Sequence, residues 1–110
     1  MAAAAPTRVV VADDSGFMRQ MLSSALRDEG FDVIAAACDG DDALALCTEH
    51  EPDAITLDLA MPGMDGIGFL RALKRPGAPE VPVVVVSAFS PAHGARAVDA
   101  LAEGAFDLVA

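Results

Sequence analysis

At 110 residues the chain is long enough for one packed domain and too short for two, and its 54% hydrophobic content excludes intrinsic disorder. Its 17 acidic and 7 basic side chains leave a net charge of −10, which argues against nucleic acid and anionic membranes as partners and favours proteins. The only cysteines, Cys38 and Cys47, follow no secretory leader and read as small buried thiols in a reducing cytoplasm, not as a disulfide.

Residues 1–6 are alanine-rich, end in a proline and are expected to form a disordered tail. No apolar run approaches the roughly 20 residues that span a bilayer. From there the chain alternates between two periodicities. A β-branched run over 8–12 predicts a first strand that ends in two aspartates. Over 17–28 apolar Phe17, Met18, Met21, Leu22, Ala25 and Leu26 recur at helical spacing, and Gly30 stops the helix. A second strand is expected over 31–36. A second helix follows over 41–49, its acidic start matched to the positive end of the helix dipole.

The third strand, 54–57, ends at Asp58. A turn segment containing Met61-Pro62-Gly63 leads to a third helix over 67–74, which the Pro- and Gly-rich 75–80 breaks. The run 81–86 is apolar on both sides, as a central strand of a covered parallel sheet must be. A fourth helix is expected over 92–103 and a fifth strand over 106–109. Such alternation with short connections implies an α/β three-layer sandwich around a five-stranded parallel sheet. The flavodoxin-like order 2-1-3-4-5 is the natural choice, with ligands bound beyond the carboxyl ends of strands one and three.

In that order Asp13-Asp14 and Asp58 converge at one corner. Three carboxylates there repel one another unless protons or a cation intervene, and Mg²⁺ with oxygen ligands suits the set. The same acids argue against a flavin-phosphate site. Ala60, two residues past Asp58, lacks the second acid of an aspartate-type phosphatase. Neither a G-x-S-x-G elbow nor a P-loop occurs. For phosphoryl transfer, Asp58 is the carboxylate nucleophile, and Ser87, at the end of the fourth strand, is placed to bond the transferred group.

The ordered set Asp13-Asp14, Asp58 with Met61-Pro62 and Asp65-Gly66, Ser87-Ala88 and Gly104-Ala105 resembles the response-regulator receiver family over nearly the whole chain. The likeness is nearest to the receiver half of chemotaxis protein-glutamate methylesterases. It rests on Asp14-Ser15 with Met18-Arg19, on Ile55-Thr56-Leu57-Asp58 and on Gly104-Ala105-Phe106-Asp107. The resemblance implies that Asp13, Asp14, Asp58 and the backbone carbonyl of Ala60 hold Mg²⁺. It also implies that Asp58 accepts a phosphoryl group from a histidine kinase and that Ser87 is the switch hydroxyl. The output would be a methylesterase domain absent from these residues. A receiver-shaped interaction module that is not phosphorylated, and a free-standing receiver, remain open alternatives.

Two positions depart from the family pattern. The family's lysine after the fifth strand would fall beyond Ala110, and Leu108 stands where an aromatic switch residue is usual. A fifth helix is also missing. Residues 7–110 are therefore expected to be a C-terminally truncated receiver domain.

Overall fold

A computed structural model of the chain describes residues 6–58, 66–86 and 107–109. Strand β1 (Arg8–Ala12) lies between β2 (Asp32–Ala37) and β3 (Ala54–Leu57). Beyond β3 come β4 (Val83–Val86) and β5 (Asp107–Val109). Every pairing is parallel, and the order is β2-β1-β3-β4-β5, the expected flavodoxin-like arrangement. The fourth helix expected over 92–103 lies outside the described residues.

Alternation along the strands sorts the side chains between two faces. Val10, Ala12, Ile55, Leu57, Val83 and Val85 form one buried cluster with Ala43 and Cys47 of α2 (Gly40–His50) and Phe69 and Leu70 of α3 (Gly66–Leu73). On the other face are Val9, Val11 and Thr56, and there α1 (Gly16–Asp28) packs against β1 and β2. A sheet that must be apolar on both sides explains why its strands read as runs of Val, Ile and Ala without polar alternation.

The helix ends are specified locally. Ser15 caps α1, its hydroxyl accepting the Met18 N–H at 3.2 Å. At the other end Gly30 takes φ +93°, the Gly30 N–H donates to the Arg27 carbonyl and the Phe31 N–H to the Leu26 carbonyl. That is a Schellman closure, which a glycine in this position makes inexpensive. Asp39 caps α2 by accepting the Asp42 N–H at 2.8 Å, ahead of Asp41 and Asp42 in the first turn.

Some boundaries differ from the sequence expectation, each for a hydrogen-bonding reason. Strand β2 starts at Asp32, since the Phe31 N–H is engaged in closing α1. Strand β4 starts at Val83 instead of residue 81: Pro82 has no N–H to give the ladder, although its carbonyl still accepts from Ile55 at 3.0 Å. In α1 the six apolar positions are too many for one face. Met18, Leu22 and Leu26 turn inward, whereas Phe17 and Met21 are 70% and 51% exposed. Cys47 is buried as expected, but Cys38 is exposed, because it follows β2 in the loop beyond the sheet; both thiols are free. Among the described residues no helix is long and apolar enough to cross a membrane.

Candidate functional site

The sheet ladder continues one residue past β1 and β3, and this positions the acids. The Asp58 N–H donates to the Ala12 carbonyl at 2.9 Å, and the Asp13 N–H donates to the Ala37 carbonyl at 3.0 Å. With Ala12 opposite Leu57, Asp13 and Asp58 become lateral neighbours at the carboxyl edge of the sheet. Asp14 follows in the turn into α1. One carboxylate oxygen from each of Asp13, Asp14 and Asp58 lies within 4.8 Å of the other two.

The three environments differ. Asp13 is buried, Asp58 half-buried and Asp14 exposed. The Ser15 N–H donates to Asp13 Oδ1 at 2.9 Å, and the Arg19 guanidinium donates to the Asp13 backbone carbonyl at 2.8 Å. Burial pushes the Asp13 carboxyl above its ordinary range and the Asp14 charge adds to the rise, while the Ser15 N–H and the Arg19 charge oppose it. Charges at this separation repel by about 1–3 kcal/mol per pair, between the limits of water and an effective protein dielectric.

This donor set fits a small hard cation. Mg²⁺ takes oxygen ligands, and carboxylate oxygens that lie within 4.8 Å of one another could converge on one such ion. Two carboxylates flanked by an exposed third also leave room for the waters that Mg²⁺ retains. The sequence expectation that these acids meet at the switch between β1 and β3 holds. Ser87 and Ala60, the other expected site positions, lie outside the described residues. Lys74, in the turn after α3, lies at the end of a helix remote in the chain from the cluster.

Two supporting groups escaped the sequence reading. Ser15 joins cap and site, since its hydroxyl closes α1 while its N–H holds Asp13; the N-cap signature of a serine just before an apolar helical run was the available signal. Arg19 reaches back to Asp13 only because α1 folds over the strand end, and no local pattern announces that. A third group stands one layer deeper. Thr56, 7% exposed, has a buried hydroxyl with no hydrogen-bond partner among the described residues. Leaving such a group unpaired costs about 1–3 kcal/mol.

Known proteins resemble this chain in sequence and in fold. The chain is 48% identical over 113 residues to a protein-glutamate methylesterase/protein-glutamine glutaminase 5 of Myxococcus xanthus, covering 99% of this chain but 31% of that protein. It therefore spans less than a third of that relative's length. The response regulator domain of Thermotoga maritima CheB superposes with a TM-score of 0.81 at 34% identity, over 94% of this chain and 77% of that one. A chain of the CheX–CheY–BeF3–Mg²⁺ complex from Borrelia burgdorferi gives a TM-score of 0.80 at 32% identity, over 94% and 77% of the two chains. The family model of the response regulator receiver domain matches residues 9–110. With its fold, its acidic corner and this match spanning nearly every residue, the chain belongs to the response regulator receiver domain family.

Proposed function

We propose that this chain accepts a phosphoryl group on Asp58 from a histidine kinase, with Mg²⁺ held by Asp13, Asp14 and Asp58, and so controls an output domain or protein. The observation that carries the reading is the convergence of the three carboxylates within 4.8 Å at the end of β1 and β3. A bound divalent cation supplies charge neutralisation for the phosphoryl oxygens. The chain's own groups do the rest. An Asp58 carboxylate oxygen forms the new bond to phosphorus while the bond from phosphorus to the donor atom breaks, and the leaving atom departs with the electron pair. Asp13, fixed by Ser15 and by the Arg19 bond to its carbonyl, holds the second carboxylate in place. Ser87 is proposed to donate to the transferred group, and the Ala60 carbonyl to complete the cation's ligands.

The likeness to methylesterase receivers supports an esterase output that acts on chemoreceptors, and an intracellular setting follows from that role. Incubating the chain with Mg²⁺ and acetyl phosphate should add the mass of one phosphoryl group. Asp58→Asn, still folded by circular dichroism, should abolish the gain. Phosphoryl uptake by the Asn variant at the wild-type level would refute the assignment of Asp58.

A further inference from the structure

Thr56 stands in the middle of the sheet with a hydroxyl that bonds to no group among the described residues. Its neighbours across the ladder are Val11 on β1 and Val84 on β4. A valine has nearly the same shape and would fill this place between two valines with no polar atom to bury, yet a threonine occupies it. The hydroxyl oxygen is buried and has no hydrogen-bond partner among the described residues.

Its position relative to the acids gives the hydroxyl a use. Residues two apart on a strand share a face, so Thr56 lies on the face of Asp58, one step deeper into the sheet. The ladder holds through that step, since Leu57 pairs with Ala12 and the Asp58 N–H reaches the Ala12 carbonyl. Val11, opposite Thr56, stands in the same relation to Asp13. The layer beneath the two lateral carboxylates is therefore one valine and one threonine. Thr56 holds the only side-chain hydrogen-bond donor of that pair.

We propose that Thr56 is a positioning residue for the acidic corner: its hydroxyl donates to the Asp58 carboxylate when a divalent cation is held there. The inference rests on the cation site proposed above. A carboxylate that gives one oxygen to a small cation keeps a second oxygen as acceptor, and a donor on that oxygen fixes the orientation of the first. A donor beneath the site performs this without blocking the solvent side, where cation and phosphoryl group must enter.

The test compares the whole chain with Thr56→Val and Thr56→Ser. Magnesium chloride is titrated into each by calorimetry, and urea unfolding in EDTA measures the cation-free stability. Thr56→Val should bind Mg²⁺ about tenfold more weakly, the effect expected on losing a partner behind a metal ligand, while its cation-free stability equals or exceeds that of the wild type. Thr56→Ser, which restores the donor, should recover the wild-type affinity. Thr56→Ala serves the same comparison if valine prevents folding. Wild-type affinity in the folded Val or Ala variant overturns the inference and leaves the cation site standing. Weakened binding in Thr56→Ser equal to that in Thr56→Val overturns it too, since packing and not the hydroxyl would then be responsible. If the wild type takes up no Mg²⁺, the cation site itself fails and this inference fails with it.

Discussion

Asp13 combines burial, a like-charged neighbour and a single fixed donor, so its contribution should change sign with the cation. In the cation-free protein, Asp13→Asn removes one of three converging charges and keeps an acceptor for the Ser15 N–H. Its urea midpoint in EDTA should exceed that of the wild type, whereas its gain in stability on adding Mg²⁺ should vanish. The cysteines offer a second contrast. Cys47 is 0% exposed, and burial pushes its thiol up to about 11, from an ordinary value of 9.0. Since the thiolate is the nucleophile, iodoacetamide at neutral pH should modify exposed Cys38 and spare Cys47 until the chain unfolds. The same shift sets a pH dependence. Above pH 9.0 the unfolded chain gains by ionising Cys47 and the folded one does not, so this residue's share of stability is intact below 9.0 and is lost as pH rises to about 11.

Among the elements, α1 and α3 do different work. Helix α3 anchors the core through Phe69, which is fully buried in the cluster that α2 and α3 share with the sheet. Phe69→Ala should cost about 3–5 kcal/mol in chemical denaturation, through lost transfer energy and the cavity left behind. Helix α1 matters more to the site than to the core, since its only buried residue is Ser23 and its N-cap, Ser15, holds Asp13. Its closing turn depends on Gly30 at φ +93°, where an added Cβ would meet no atom within 4 Å. Gly30→Ala should therefore cost about 1–2 kcal/mol of stability through backbone conformation alone, with Mg²⁺ affinity unchanged. A larger loss would mean that the turn is packed more tightly than its surroundings show.

For the whole molecule, the acidic excess and the acidic corner are separable in experiment. A net charge of −10 destabilises the compact state by self-repulsion, so sodium chloride should raise the melting temperature gradually and without saturation at low concentration. Mg²⁺ at matched ionic strength should add a saturable increment, about 2.7 kcal/mol when its concentration is 100 times Kd. That increment should disappear in Asp13→Asn. If sodium reproduced the whole effect of magnesium, the corner would be an ordinary anionic surface without a bound ion.

Among the described residues, the sequence by itself determined the element types, their order and the sheet topology. Short β-branched runs between helical repeats can be buried in few ways, and parallel crossovers restrict them further. It also determined that Asp13, Asp14 and Asp58 meet, because Asp13-Asp14 follows the first strand, Asp58 follows the third, and those strands are neighbours in the flavodoxin-like order. Tertiary structure alone decided which residues of α1 face inward and that Cys38 is exposed. It also decided where Pro82 delays β4, that Arg19 reaches back to Asp13, and that the buried Thr56 hydroxyl has no hydrogen-bond partner among the described residues. The division has a physical cause. Periodicity and strand ends are local properties written in consecutive residues, whereas burial, a neighbour's charge and the partner of a hydroxyl depend on segments brought together only by folding.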